Sequence, residues 1–378
     1  MRALHTVAIF CEVIDNFGDA GVCWRLARAL ASDQHKEVTL WINDLVCIKR
    51  LRPAIDGHAT VQLIDGFTVR HWQPDAEFGA PADLVIEAFG CKLPETLLTA
   101  MAHATAVPVW INLEYLSAEA WVEGCHRLPS PHPRLPLTKY FYFPGFSQRT
   151  GGLLKEAGLD ERCAAVQHDK ARRRDFFNTL GVTMPVAGQV VSLFCYPSAP
   201  LAALFADLQS GAPLLCLVPE GVASHAMAQV LGQPAVAGAR IMLGNVTVQV
   251  IPFLEPDAYD MLLWCCDLNF VRGEDSLVRA QWAGRPLVWQ LYQQDEQVHL
   301  EKMAAFLHLY LADAPPALAE LVARCWRAWN GGSSASADWP ALLASLPQWR
   351  TRSEAWRTQL AAQKELAQGL IEFAGKIG

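Results

Sequence analysis

The chain has 378 residues, and its 31 Lys and Arg against 38 Asp and Glu give a net charge of −7. An acidic chain is unsuited to non-specific binding of nucleic acid or of an anionic membrane, so neither partner is expected. Hydrophobic residues make up 52% and charged residues 18% of the chain. This composition excludes disorder as the main state and supplies enough apolar material for about two domains.

The cysteine pattern and the apolar segments predict the compartment. The 11 cysteines are odd in number and irregularly spaced, without a CxxC pair, so they are expected to be reduced, mostly buried thiols. The apolar stretch 7–14 resembles part of a secretion signal, but Glu12 interrupts it and Asp15 follows it. Because no long uncharged apolar run occurs elsewhere, the sequence predicts a cytoplasmic protein without a membrane span.

The N-terminal part of the chain alternates between strand and helix patterns. An apolar run at 7–14 leads through a polar loop into a helical pattern at 22–31, and a second apolar run follows at 38–42. Further strands are predicted at 60–64, 84–88, 107–112 and 139–143. This alternation predicts an α/β domain with a mostly parallel sheet and helices on both faces.

A charged and polar stretch at 155–179 indicates the crossing between two domains. The predicted organisation is two tandem doubly wound domains, 1–180 and 181–350, followed by a segment at 351–378. Apolar residues at helical spacing in this last segment predict one helix over 354–373, which we expect to pack back across the domain junction. The second domain has predicted strands at 189–196, 214–218, 246–251, 268–271 and 287–290.

Two carboxylates, Asp15 and Asp19, lie on a glycine-containing loop after the first predicted strand. Open α/β sheets bind ligands at the carboxyl ends of their strands, so this loop is a candidate site. One carboxylate could act as a base and the other could orient it. Alternatively, Asp15 bonds loop amides and Asp19 caps a helix that begins near Gly21. The chain contains neither G-x-G-x-x-G at this loop nor a P-loop sequence, which excludes those two standard phosphate sites.

The second candidate site lies between the predicted strand 268–271 and a predicted helix at 277–283. A helix N-terminus offers unpaired N–H groups and partial positive charge, so a diphosphate could bind Ser276 and the backbone amides beside Arg272. Glu274 and Asp275 would then face sugar hydroxyls. The alternative is ordinary N-capping by Ser276. The segment reads Arg272, Gly273, Glu274, Asp275 and Ser276.

Three aromatic residues follow predicted strands of the second domain, and they could stack on a nucleotide base: Phe194, Tyr196 and Phe253. Taken singly, each is better explained as a core residue. A carboxylate loop in one domain and an anion-binding helix start in the other are expected to face each other across an interdomain cleft, as in a nucleotide-sugar transferase. No metal-ligand spacing and no G-x-S-x-G elbow occurs, so neither a metal nor a nucleophilic side chain is expected.

Two signatures carry a resemblance to a known family, one at 13–19 with Trp24-Arg25-Leu26-Ala27 and one at 271–276 with 279–280, 282–284 and 289–290. Over essentially the whole chain, the sequence resembles the bacterial protein-arginine rhamnosyltransferases of elongation factor P. The resemblance implies a GT-B fold, with an acceptor and base domain followed by a nucleotide-sugar domain. It also implies inverting transfer of L-rhamnose from dTDP-β-L-rhamnose to an arginine in the N-terminal domain of elongation factor P, without a cofactor.

The resemblance further implies roles for individual residues. Asp19 would be the general base, Asp15 would be structural or would orient the acceptor, and Glu274 would be a third essential carboxylate. Phe194, Tyr196 and Phe253 would form a thymine pocket. The other donor-binding residues would be Asn16, Phe17, Gly18, Arg272, Glu274, Asp275, Ser276 and Gln290.

Two alternatives stay open at this point. A GT-B transferase could use another nucleotide sugar or a small-molecule acceptor, because sugar specificity depends on a few pocket contacts. A non-enzymatic protein that senses nucleotides, or that resembles periplasmic binding proteins, would also bind a ligand in the cleft. That second alternative gives no reason for an acidic pair opposite an anion site.

Overall fold

The computed structural model describes residues 2–14, 17–293, 298–331 and 337–378. The chain forms two compact units: unit 1 comprises Met1–Ala157 and Leu360–Gly378, and unit 2 comprises Gly158–Gln359. No helix within the described ranges has both the length and the hydropathy that crossing a bilayer requires. All 11 cysteines are free thiols, and all except Cys125 are buried, as the irregular cysteine spacing predicts.

Unit 1 contains an eight-stranded sheet with helices α1 (Phe17–Ser32), α2 (Leu45–Leu51), α3 (Glu95–His103) and α4 (Val122–Cys125). Its strands are β1 (Thr6–Cys11), β2 (Glu37–Ile42), β3 (Val61–Ile64), β4 (Phe67–His71), β5 (Leu84–Ala88), β6 (Val109–Leu113), β7 (Pro129–Pro131) and β8 (Thr138–Tyr142). The strand order is β3-β4-β2-β1-β5-β6-β8-β7, with β3 and β7 antiparallel at the two edges. The six parallel strands therefore follow the doubly wound order 3-2-1-4-5-6.

The core of unit 1 explains why its central strands are continuous apolar runs. All five residues of β5 and of β6 are buried, because a parallel sheet is covered on both faces. On one face Phe10 stacks on Trp41 with ring centroids 5.8 Å apart. Leu97 and Met101 of α3 belong to the same hydrophobic cluster.

Unit 2 contains a six-stranded sheet with the order β11-β12-β10-β9-β13-β14, in which β11 alone is antiparallel among the described strands. Its five parallel strands repeat the order 3-2-1-4-5 of a doubly wound sheet. The strands are β9 (Gln189–Leu193), β10 (Leu214–Pro219), β11 (Arg240–Leu243), β12 (Val246–Ile251), β13 (Leu268–Arg272) and β14 (Leu287–Gln290). The helices are α5 (Leu159–Gln167), α6 (Lys170–Thr179), α7 (Leu201–Leu208), α8 (Ser224–Leu231), α9 (Pro256–Cys265), α10 (Asp275–Ala283), α11 (Val298–Tyr310), α12 (Pro316–Trp329), α13 (Trp339–Ala344) and α14 (Leu346–Ala361).

Three strands of the structure are absent from the sequence prediction: β4, β7 and β11. Two of them belong to tight hairpins. Asp65 and Gly66 connect β3 to β4 with φ angles of 51° and 85°, the geometry of a two-residue type I′ turn. Gly244, with φ of 55°, and Asn245, whose φ is negative, connect β11 to β12, the pattern of a type II′ turn with glycine at its first central position. These turn residues are the sequence signal that would have found both hairpins.

The boundary between the units lies at 157/158, upstream of the predicted position at residue 180, because α5 and α6 pack within unit 2. The C-terminal segment forms α14 and α15 (Leu366–Ile377) rather than one helix, and α15 belongs to unit 1. Glu365 starts the new helix by accepting a bond from Gln368 N–H at 2.9 Å. The break between α14 and α15 lies within unit 1, where Leu366 N–H donates to the Leu153 carbonyl at 3.0 Å.

A buried ion pair joins α9 to α10 in unit 2. Arg279 Nε lies 3.0 Å from Asp260 Oδ1, and Arg279 Nη2 lies 2.6 Å from Asp260 Oδ2. Both residues are almost fully buried. The pair therefore fixes α10 against α9 with a planar, bidentate contact.

The substitution Asp260→Asn is expected to lower the free energy of unfolding of unit 2 by about 3 kcal/mol, because it removes the carboxylate charge that pairs with the buried Arg279. Hydrogen exchange of β9 and β13 measures this change within unit 2. Asp175→Asn is the matched control, since Asp175 pairs with Arg174 on the surface and its loss should cost about 0.5 kcal/mol or less. Equal protection in the two variants would contradict the assignment.

Candidate active site

Each unit brings candidate residues to the point where its strand order reverses. In unit 1 this point lies between β1 and β5, and in unit 2 it lies between β9 and β13. Loops that leave neighbouring strands in opposite directions open a crevice at the carboxyl edge of the sheet, where ligands of open α/β folds bind. The segments that follow β1, β9 and β13 are the ones that the sequence singles out.

Asp19 lies in the first turn of α1. The helix begins at Phe17, so the predicted start near Gly21 is wrong. Gly18 is a poor helix former, and the apolar periodicity that predicts the helix begins only at Val22. The Asp19 side chain is 2% exposed, and Ile14 N–H donates to its Oδ2 at 2.9 Å. The carboxylate thus reaches back from the helix to the backbone of Ile14.

The other residues of this loop are placed as follows. Phe17 and Gly18 open α1, and the Arg50 guanidinium lies 5.7 Å from the centre of the Phe17 ring. Asp15 and Asn16 lie outside the described residues. Their predicted roles therefore stay predictions.

The structure adds a polar and aromatic group at the ends of β5 and β6, which the sequence interpretation missed. The Phe89 and Tyr115 rings stack with centroids 4.5 Å apart, and Tyr115 is 42% exposed. Asn112 Nδ2 donates to Glu114 Oε1 at 2.5 Å. Burial raises the pKa of Glu114, and the Lys139 charge opposes this shift. Both Glu114 and Tyr115 directly follow β6, so the rule that selected the Asp19 loop would also have selected them.

In unit 2 the turn from β13 into α10 is held by Ser276. Gly273 has φ of 62°, Glu274 is the N-cap, and the Glu274 side chain makes no capping bond. Ser276 is the second residue of the helix, so the alternative of ordinary N-capping by Ser276 is wrong. Its hydroxyl donates to the Arg272 carbonyl and accepts from Arg272 N–H. The hydroxyl therefore closes the turn, while the first amides of α10 point along the helix axis toward the carboxyl edge.

Arg272 lies between two aromatic rings that follow β9. Its guanidinium carbon is 4.7 Å from the centre of the Phe194 ring and 4.5 Å from that of Tyr196, within the range of a cation–π contact. Tyr259 packs against Phe194 with centroids 5.4 Å apart, and burial raises its pKa. Phe253 follows β12 at the same sheet edge, on the far side of β10. The structure thus brings Arg272, Phe194 and Tyr196 into contact. It places Phe253 farther along the same edge of the sheet.

Two residues of β14 position these loops. Gln290 is 1% exposed, and its Oε1 accepts from Tyr196 N–H at 2.8 Å. Trp289 Nε1 donates to the Gly273 carbonyl at 2.8 Å. Tyr292, which the sequence interpretation missed, contacts Tyr196 edge to face with centroids 5.7 Å apart. Its position just after a predicted strand is the signal that would have found it.

Within the described residues, no group of three or more His, Cys, Asp or Glu side chains is arranged to hold a metal ion.

Comparison of the chain with known proteins identifies its family. The family model described as "Elongation-Factor P (EF-P) rhamnosyltransferase EarP" matches residues 7–375. The chain belongs to this family. It is 45% identical to the protein-arginine rhamnosyltransferase of Pseudomonas aeruginosa and 44% identical to that of Pseudomonas putida, over 97% of each chain in both comparisons.

Solved structures agree with this membership. The structure "Structural basis for EarP-mediated arginine glycosylation of translation elongation factor EF-P" is 31% identical with a TM-score of 0.69, covering 97% of this chain and 98% of that chain. The spinosyn rhamnosyltransferase SpnG, complexed with thymidine diphosphate, is 11% identical with a TM-score of 0.51 and covers 98% of this chain and 100% of that chain. SpnG thus shares the fold alone.

Family membership confirms three predictions: the resemblance, the GT-B fold class, and the enzyme class of protein-arginine rhamnosyltransferase. It also removes the non-enzymatic alternative. Of the described signature residues, Asp19 follows β1 and Arg272 ends β13, at the switch points of the two sheets, where open α/β sheets bind ligands.

The substitution Gln290→Ala is expected to lower the free energy of unfolding of unit 2 by about 2 kcal/mol, because it removes the side-chain oxygen that accepts from the buried Tyr196 N–H. Hydrogen exchange of the segment after β9 measures the change. Ser198→Ala is the matched control, since it removes only the longer contact of Gln290 Nε2, at 3.4 Å. An equal loss of protection in the two variants would show that Gln290 does not position Tyr196.

Proposed function

We propose that the chain transfers L-rhamnose from dTDP-β-L-rhamnose to one arginine of elongation factor P, with inversion at the anomeric carbon. The observation that carries the proposal is Arg272, which lies between two aromatic rings at the start of α10. A cation, a helix N-terminus and aromatic faces suit a nucleoside diphosphate. The descriptions of the family and of the related solved structure name EF-P, which supports the acceptor. We place the reaction in the cytoplasm.

The donor would be bound by the residues around α10. Its diphosphate would accept bonds from the first amides of α10 and from Arg272, where the helix dipole favours negative charge. Ser276 would contribute by holding this turn, because its hydroxyl already bonds the Arg272 backbone. Glu274 and Asp275 would face the hydroxyls of the sugar and the ribose.

The thymine base would stack in the aromatic cluster. Phe194 and Tyr196 offer ring faces beside Arg272, and Gln290 fixes the Tyr196 backbone. Phe253 would close the pocket from the end of β12. Asn16, Phe17 and Gly18 stay predicted donor contacts.

The acceptor determines what the catalytic base must do. A guanidinium with a pKa above about 12 is a delocalised cation without a free lone pair, so it is a poor nucleophile. Asp19 would accept a bond from one terminal nitrogen, localise its electron density and take the proton while the C–N bond forms. Its bond to Ile14 N–H does not prevent this, since a carboxylate has about four lone-pair sites.

The leaving group and the remaining carboxylates complete the proposed reaction. As the new C–N bond forms, the bond between the anomeric carbon and the diphosphate oxygen breaks, and dTDP departs with the electron pair. Arg272 and the N-terminus of α10 would stabilise the departing charge, so no metal is required. Direct displacement inverts the anomeric carbon without a covalent enzyme intermediate. Asp15 would orient the acceptor or support the loop.

The substitution Asp19→Asn is expected to lower turnover by about 100-fold or more, because the amide cannot take the proton. Its oxygen still accepts from Ile14 N–H, so binding of dTDP should stay close to the wild-type value. Initial rates of transfer to elongation factor P and calorimetric titration with dTDP measure the two effects. Glu274→Gln is the comparison variant, and it should weaken binding of the nucleotide sugar. Near-normal turnover of Asp19→Asn would rule out its role as the base.

A further inference from the structure

A buried arginine lies at the amino edge of the unit 2 sheet, opposite the edge that carries Arg272 and Ser276. Arg285 connects the end of α10 to the start of β14. The residue is 7% exposed, and its Nε and Nη1 atoms are buried without a hydrogen-bond partner in the described structure. Arg173 on α6 also has a buried Nε without a partner. The sequence interpretation assigns neither residue to a site.

The surrounding charges do not compensate Arg285. Burial lowers the pKa of its guanidinium, Arg350 and Arg173 lower it further, and Asp267 opposes the shift. Arg357 packs against Gly284, beside Arg285. The three neighbouring arginines already have carboxylate partners: Arg173 with Asp267 at 3.5 Å, Arg350 with Glu354 at 2.9 Å and Arg357 with Asp160 at 2.7 Å.

Arg285 cannot remove its positive charge by losing a proton, because arginine stays protonated in proteins. A buried charge without a counter-charge is strongly unfavourable. The three carboxylates pair with the three neighbouring arginines. The group of four arginines therefore carries one positive charge more than these carboxylates balance. An external anion is the simplest group that would balance it.

We propose that Arg285, Arg173 and Arg350 bind an oxyanion of the phosphate class at the amino edge of the unit 2 sheet. The buried donors belong to two different guanidiniums, and a tetrahedral anion with several acceptor oxygens satisfies more of them than a carboxylate does. The site is separate from the candidate donor site, since α10 with its nine residues is about 14 Å long and lies between them.

Thermal unfolding of the full chain in phosphate, sulfate, acetate and chloride buffers of equal ionic strength tests this proposal. Phosphate and sulfate are expected to raise the Tm of the wild type by about 3 °C or more over chloride, through binding to the folded state. Acetate should have a smaller effect. No difference between phosphate and chloride, or an equal effect of acetate, would overturn the proposal.

Substitutions locate the site. Arg285→Gln is expected to abolish the phosphate shift, and its Tm in chloride should equal or exceed that of the wild type, because an uncompensated buried charge is removed. Arg172→Gln, an exposed change on the same helix as Arg173, should keep the shift. Arg272→Gln should also keep it, which separates this site from the donor site.

The contrary results are equally specific. A phosphate shift that survives Arg285→Gln, or that disappears in Arg272→Gln, would overturn the proposal. If Arg285→Gln does not fold, Arg350→Gln replaces it, since the Arg350 side chain is 45% exposed and its loss should be tolerated. A full phosphate shift in Arg350→Gln would then contradict its part in the site.

Discussion

The reversal of strand order beside the first strand of each sheet is the constraint on which the rest of the structure depends. In unit 1 the connections from β1 and β5 diverge, and in unit 2 those from β9 and β13 diverge. A crevice at such a point exposes backbone amides and helix starts that the sheet itself cannot pair. Acidic and basic side chains that would be costly inside the sheet are therefore tolerated at its carboxyl edge.

Three side chains at the unit 2 site bond to protein backbone, which prepares a rigid binding surface. Ser276 closes the turn after β13, Trp289 bonds Gly273, and Gln290 bonds the Tyr196 backbone. These bonds pre-organise Arg272 and the start of α10 before any ligand binds. The buried Arg279–Asp260 pair extends the same principle to the body of α10.

The sequence predicts the central strands well because parallel strands are covered on both faces and so form apolar runs, as β5 and β6 show. It fails where the signal is a local turn or a long-range bond. The β3–β4 hairpin depends on the positive φ angles of Asp65 and Gly66. A search for apolar periodicity does not detect such a turn. The role of Gln290 depends on a bond to a residue 94 positions away, which no local pattern contains. The sequence pattern also places the starts of α1 and α10 too late in the chain. The helices begin at Phe17 and Asp275, before the apolar periodicity that predicts each of them.

Mass spectrometry of elongation factor P, after incubation with this chain and dTDP-β-L-rhamnose, tests the central claim most directly. The account predicts one deoxyhexose increment on a single arginine, and no increment on an acceptor in which that arginine is replaced. The same protein preparation would be titrated with dTDP to establish that its donor site is intact. Tight dTDP binding without any increment would contradict the proposed sugar or acceptor.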